Sequence, residues 1–268
     1  MQGIGAGSII RRTAEGGHEH GTDEVAIEEP LEIRIRGSAI ATTMRTPGHD
    51  DELAAGFLLA EAIVRTRTDL RAISASSENV IEADLATTVK FTAAKSERFG
   101  TITSSCGLCG KTSIEFIRQR FPLIDFTTDP MRIAEAVLME LPESLRRGQG
   151  NFARTGGIHA AGIFDTNGQS LVIREDIGRH NAVDKAIGRA FLDGLLPLSR
   201  HVLVVSGRSS FEIVQKALAA GIPIVAAVSA PSSLAVNFAR ECGQTLIGFL
   251  RPPTFNVYSH IERIAFDG

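Results

Sequence analysis

The sequence predicts an α/β fold, with a sheet covered by helices on both faces and a smaller β-rich region before it. Three observations carry this expectation. In the last third, strand-sized apolar runs at residues 201–206, 222–229 and 245–250 alternate with helical patterns at 211–220 and 234–242. Continuous apolar strands separated by helices are the mark of parallel strands buried on both sides. The pattern V-S-x-x-S-S occurs twice, at Val205-Ser-Gly-Arg-Ser-Ser210 and Val228-Ser-Ala-Pro-Ser-Ser233, 23 residues apart and each time between a strand and a helix. Both loops should then lie on one edge of the sheet, at the carboxyl ends of its strands. Near the start, Leu31-Glu-Ile-Arg-Ile-Arg36 alternates apolar and charged residues, as a half-buried strand does.

The remaining elements follow in order. Residues 1–29 are rich in Gly, Glu and His without periodicity and read as a mobile tail, with His18 and His20 as solvated tail histidines. Residues 30–145 read as an N-terminal α+β region and residues 146–268 as a C-terminal α/β region, in one integrated domain or two. The strand at 31–36 has a hairpin partner at 39–44. After a turn at Thr46-Pro-Gly-His, Asp50 suits the N-cap of a helix over 51–65, with Leu53, Phe57, Ala60 and Val64 on one face. Short strands are expected at 70–75, 79–83 and 87–92, then helices at 112–120 and 131–141 and a loop at 149–157. Strands at 158–164 and 170–173 flank the turn Asp165-Thr-Asn-Gly168, and a helix covers 177–192.

Composition excludes several classes. Hydrophobic residues make up 43% and charged residues 22%, as in a soluble globular protein. A formal net charge of −3 gives no basic field, and the absence of Trp with a single Tyr gives no base-stacking platform, so nucleic acid is not an expected partner. No apolar run reaches the roughly 18 residues of a membrane span. Arg11-Arg12 is followed by polar residues rather than an apolar segment, unlike an export leader. Three cysteines make no disulfide framework, which points to the cytoplasm.

Four segments carry candidate chemistry. Cys106-Gly-Leu-Cys109 holds two of the three cysteines two residues apart. A structural zinc site needs four ligands, and Cys242 is remote in a helical pattern, where a buried apolar cysteine is the simpler reading. A thioredoxin-like redox pair needs a βαβ setting that the preceding short strands do not resemble. The third reading is a nucleophilic or sulfur-carrying thiol, favoured by the following helix start and by Lys111, both of which lower a thiol pKa. Ser206, Gly207, Arg208 and Ser209, with Ser229 in the second loop, offer hydroxyls and N–H groups at helix starts for a phosphate; helix capping by Ser209 or Ser210 explains the first loop equally well. In Arg174-Glu-Asp-Ile-Gly-Arg-His-Asn-Ala-Val-Asp-Lys185, His180 and Asp184 share a helical face, as do Asn181 and Lys185. That segment reads either as an imidazole oriented for proton transfer or ligand binding, with His180 a candidate cofactor contact, or as a salt-bridged surface helix. Finally Arg251 precedes two prolines and suits a phosphate clamp or a plain exit loop.

Taken together, these residues resemble the FdhD family, the sulfurtransferases required for formate dehydrogenase activity. The likeness rests on Arg45-Thr-Pro-Gly-His-Asp-Asp-Glu-Leu-Ala-Ala-Gly-Phe57, Ser105-Cys-Gly-Leu-Cys-Gly110, Gly157-Ile-His-Ala-Ala161, residues 175–185 and the two serine-rich loops, and it runs from about residue 28 to 264. The resemblance implies a cytidine-deaminase-like mixed sheet flanked by helices, and a homodimer. It implies that a cysteine desulfurase passes persulfide sulfur to the protein. The sulfur then goes to the molybdenum bis(molybdopterin guanine dinucleotide) cofactor, bound as substrate, in a site that GDP can also occupy. The formate dehydrogenase apoenzyme is the client. It further implies that Cys106 carries the sulfur, that Cys109 assists, and that Phe249, Leu250, Arg251, Pro252, Pro253 and Thr254 form a cofactor-binding segment. The competing class is a zinc-dependent deaminase-like hydrolase with the two cysteines as metal ligands.

Overall fold

The computed structural model describes residues 3–91, 120–128 and 130–266. Cys106, Cys109 and Lys111 lie outside the described residues, as do the last residue of the strand expected at 87–92 and, but for Arg120, the helix expected at 112–120.

The N-terminal stretch is not the expected tail. Strands β1 (Ile4–Arg12) and β2 (His18–Ala26) form an antiparallel hairpin. Glycines at positions 5 and 7 hide the apolar alternation, although a Cβ at Gly7 would make only an ordinary contact with Val25 at 3.5 Å. Thr13 closes the turn, its Oγ1 accepting from Gly17 N at 3.1 Å.

Strands β3 (Glu29–Ile35), β4 (Ser38–Arg45), β5 (Leu70–Ser77) and β6 (Val80–Leu85) make a four-stranded sheet in the order β4-β3-β6-β5. The alternation at its start is borne out: Leu31, Ile33 and Ile35 are buried. No strand forms over 87–91; Val89 N instead closes a turn on Ala86 O at 3.0 Å. Helix α1 (Asp50–Ala60) is capped by His49 in the left-handed region rather than by Asp50, whose carboxylate takes two hydrogen bonds from Arg45 at 2.9 Å. The helix ends five residues earlier than expected because Ala62 turns to a φ of 54°, and Val64 still reaches the core.

The second sheet has six strands, in the order β13-β12-β11-β10-β8-β9. These are β8 (His159–Asp165), β9 (Ser170–Asp176), β10 (His201–Val205), β11 (Ile224–Ala227), β12 (Thr245–Arg251) and β13 (Thr254–Ser259). The expected parallel core is β10-β11-β12, and antiparallel partners on either side make the sheet mixed. Helix α2 (Glu135–Arg147) begins later than the expected 131–141, because Ile133–Ala134 (β7) pairs with Ile264–Ala265 (β14). It then runs through Pro142 to Arg147, and a short helix α3 (Gly150–Thr155) replaces the loop expected at 149–157. Helices α4 (Arg179–Leu192), α5 (Phe211–Ala219) and α6 (Ser233–Cys242) match the periodicity closely.

Alternate residues of β10 serve two cores. Leu203 and Val205 join the large cluster with α1, α4, α5 and α6, whereas Val202 and Val204 join a smaller one under α2. The large cluster runs from Leu31 to Leu246, so the two sheets share one core. Its seam is the crossing of α1 and α4, where backbones touch. A Cβ at Gly56 would lie 2.0 Å from Asp184 O, and one at Gly188 would lie 1.8 Å from Glu52 O.

Candidate anion-binding edge

Strand β8 is antiparallel to both of its neighbours, β9 and β10, so those two run parallel. The chain therefore leaves β9, β10 and β11 at the same edge, and helices α4, α5 and α6 all begin there. A helix start carries free N–H groups and about half a positive charge. Three of them side by side form a field suited to an anion.

The two serine-rich loops are joined at this edge, as the repeat predicts. Ser209 N donates to Ala230 O at 3.2 Å, and Ser232 N donates to Ser209 O at 3.0 Å. The first loop is also tied to β8, since Ser206 N donates to Ala160 O at 3.0 Å and Ala160 N returns a bond to Ser206 Oγ at 2.9 Å. The second loop is tied to β12, through Phe249 N to Ser229 O at 3.1 Å and Arg251 Nε to Val228 O at 2.8 Å.

Capping explains one loop and not the other. Ser232 Oγ accepts from Ala235 N at 3.2 Å and caps α6. Ser210 holds the N-cap position of α5, although its counterpart in the repeat is Ser233, and makes no side-chain cap; its Oγ lies 2.9 Å from His180 Nε2. Ser209 is fully buried and its Oγ has no hydrogen-bond partner.

Helix α4 is neither of the two forms that its sequence suggested. His180 does not pair with Asp184. Its Nε2 faces Ser210 and, at 3.1 Å, Glu212, and burial holds its pKa down to about 3, with the charges of Lys216 and Arg179 acting in the same direction. Asp184 instead takes two bonds of 2.8 Å from buried Lys216. Nor is the helix a surface one. Most of α4 is buried, and Lys185 Nζ reaches Asp176 at 2.6 Å and Thr46 O at 2.7 Å. Asn181 spans Met44 O and Asp176 at 2.7 and 3.0 Å. Next to Asp184 and Lys216, burial pushes the Glu61 carboxyl up to about 7, with Lys216 opposing.

Two groups at the edge were not assigned to a phosphate site from the sequence: His159 at the start of β8 and Arg179 at the start of α4. A Cβ at Gly207 would touch the His159 ring at 3.3 Å and Arg179 Cδ at 3.7 Å, so glycine there lets both side chains lie close against the first loop. Burial lowers the His159 pKa, and the charges of Arg179 and Arg208 lower it further against the opposing charge of Asp176. Arg179 Nε is buried without a hydrogen-bond partner. Among the described residues, no carboxylate lies within ion-pair distance of Arg179, Arg208 or Arg251. Arg179 stands in a segment dense in polar groups and His159 in an apolar one, and only the sheet order brings them together.

The segment 249–254 divides. Phe249, Arg251, Pro252, Pro253 and Thr254 are exposed at the turn from β12 to β13, with the Arg251 guanidinium 6.0 Å from the Phe249 ring. Leu250 is fully buried in the core under α2, so its side chain faces no ligand at this edge. Next to the first loop opens a cleft of about 460 Å³, walled by α2, α3 and the start of β8, with Ser206 and Val228 at its loop side. Among the described residues no group of three His, Cys, Asp or Glu side chains stands close enough to hold a metal ion, and no helix is long and apolar enough to cross a membrane.

Comparison with known proteins agrees with this architecture. The model of a family described as FdhD/NarQ matches residues 26–265. A protein of Streptomyces coelicolor described as "Sulfur carrier protein FdhD" is 48% identical over 267 residues, covering 96% of this chain and 94% of its own. One of the same description from Mycobacterium tuberculosis is 50% identical over 256 residues, covering 90% and 92%. The crystal structure of a putative formate dehydrogenase accessory protein from Desulfotalea psychrophila superposes with a TM-score of 0.78 at 25% identity, covering 98% of this chain and all of that one.

Proposed function

The chain belongs to the FdhD/NarQ family, and from that premise we propose that it is a sulfur carrier for formate dehydrogenase that works through a persulfide on Cys106. A cysteine desulfurase is the donor. The Cys106 thiolate attacks the outer sulfur of the donor's persulfide; a new S–S bond forms on Cys106, the old one breaks, and the donor cysteine leaves as thiolate. No net oxidation occurs in this step. Delivery to the metal is different, because the sulfur must arrive as sulfide, which takes two electrons. The Cys109 thiolate supplies them by attacking Cys106 sulfur, closing a Cys106–Cys109 disulfide and releasing HS⁻; a cellular dithiol then reopens the pair.

The acceptor in this reading is the molybdenum bis(molybdopterin guanine dinucleotide), bound as substrate, and the client is the formate dehydrogenase apoenzyme. Its phosphates lie against the starts of α4 and α5, among Ser206, Gly207, Arg208 and Ser209, with Ser229 and Arg251 alongside. The observation that carries the reading is the convergence of three helix starts and three guanidiniums at one edge, in a chain whose near full-length relatives are described as sulfur carriers. His180, turned to Ser210 and Glu212, positions the first loop rather than touching the ligand.

The test is mass spectrometry after incubation with a desulfurase and L-cysteine. One added sulfur is expected on Cys106 and none in Cys106→Ala; Cys109→Ala should load sulfur but fail to release it. Undiminished sulfur acceptance by Cys106→Ala would sink the proposal.

A further inference from the structure

The cleft beside the first loop holds a preformed donor fork that the phosphate reading does not use. Arg146, on the last turn of α2, lies with its guanidinium 4.3 Å over the Phe152 ring. The contact holds the guanidinium over the ring face at the wall of the cleft, and a guanidinium keeps its N–H donors in one planar fork. Among the described residues no carboxylate or carbonyl takes those donors. Both side chains line the cleft, and its volume of about 460 Å³ is in the range of small-molecule sites. Ser206 lines both the cleft and the first serine-rich loop, so a ligand with phosphates on the loop has its next group in the cleft.

A planar fork of donors discriminates between purines. Guanine presents two acceptors, O6 and N7, on one edge, whereas adenine presents one acceptor beside an amino donor. An arginine fork matches the first and opposes the second. We propose that Arg146, held by Phe152, is the specificity-determining residue for the guanine base of the bound nucleotide, with the base in this cleft. The inference rests on the phosphate-binding reading of the adjacent loops.

The mouth of the cleft offers a clean perturbation. Gly157 lines it, has an ordinary backbone conformation, and a Cβ there would meet nothing nearer than Thr155 O at 3.8 Å. Gly157→Leu therefore narrows the cleft without disturbing packing. Arg146 is exposed, so its replacement should leave the fold intact.

Equilibrium binding of GDP, ADP and inorganic pyrophosphate to the full chain separates the possibilities. The wild type should prefer GDP over ADP on the order of tenfold or more, the discrimination of one good bidentate pair. Arg146→Ala and Arg146→Lys should both bring GDP down to the ADP level while leaving pyrophosphate unchanged, since lysine keeps the charge but not the fork. Gly157→Leu should weaken both nucleotides and spare pyrophosphate. Equal binding of GDP and ADP by the wild type, or a preference that survives Arg146→Ala, overturns the assignment while leaving the loops as the phosphate site. Binding of none of the three overturns both readings.

Discussion

Replacing Gly188 by alanine should be among the most damaging single-methyl changes in this protein. The added Cβ would lie 1.8 Å from Glu52 O and 2.7 Å from Gly56 N, both backbone atoms of α1. Non-bonded heavy atoms settle near about 3.5 Å, so α1 and α4 must part by more than about 1 Å. No side chain can swing aside to relieve the contact. The parting would loosen Leu53, Phe57, Ala186 and Ile187 at the centre of the shared core. Overpacking of this kind costs about 1–3 kcal/mol, and a backbone-to-backbone clash belongs at or above the upper figure. For a chain near this size, about 3 kcal/mol corresponds to a fall in Tm of roughly 6–12 °C. Helix α4 begins at Arg179, so pyrophosphate affinity at the loop edge should fall with it. Gly150→Ala is the matched control, since a Cβ there meets nothing within 4 Å, and it should be neutral within about 0.5 kcal/mol. Thermal melts of the two variants decide the matter. A Gly188→Ala protein melting within about 2 °C of wild type would refute the reasoning, because it would mean that the helix crossing is not close-packed at backbone level.

Two further outcomes follow from the buried charges under the edge. Lys216→Met leaves the Asp184 carboxylate buried without the cation that bonds both of its oxygens. Breaking such a pair costs about 3–5 kcal/mol, whereas Lys216→Met with Asp184→Leu should recover most of it in urea melts. Glu61 has a folded-state pKa of about 7, raised chiefly by burial. The folded state thus binds more protons than the unfolded state between the ordinary carboxylate range and about 7, and stability falls as pH rises through that window. Glu61→Gln should stabilise by about 1–3 kcal/mol at pH 8 and change little near pH 5; a pH-independent difference would show that the carboxyl is not held protonated by its surroundings.

The elements that were legible in the sequence are those whose burial is written in consecutive residues. Strands β10, β11 and β12 are covered on both faces, so Val202 to Val205 or Ile224 to Ala227 appear as unbroken apolar runs. Where burial depends on a distant partner, the local pattern misleads. Helix α4 looks like a charged surface helix because its Asp184 and Lys185 are neutralised by Lys216 and Asp176, one from α5 and one from β9. The β1–β2 hairpin was illegible for the opposite reason. Its residues are mostly exposed and its glycines remove the alternation, so pairing alone specifies it. The early stop of α1 rests on the left-handed turn at Ala62, a position with no glycine to announce it.

The shared sheet edge of the two serine-rich loops was legible in the sequence, the different use of their serines was not, and the repeat shows why. Two loops of the pattern V-S-x-x-S-S suggest equal parts in one anion site, yet their N-cap serines use their hydroxyls differently. In the second loop Ser232 gives that capacity to Ala235 N, which is ordinary capping. In the first loop Ser210 turns to His180 instead, and α5 is left without a side-chain cap. The first N–H groups of α5 therefore remain available to a ligand where those of α6 are partly taken. Arg179 and His159 gather beside that same first loop, across Gly207, and not beside the second. A chain of net charge −3 can thus present a locally positive edge, because uncapped helix ends and unpaired guanidiniums act over a few ångströms while the total charge does not. On the proposed reading the first loop is the one that takes the anion, and the second serves mainly to hold it in place through the Ser209–Ala230 and Ser232–Ser209 bonds.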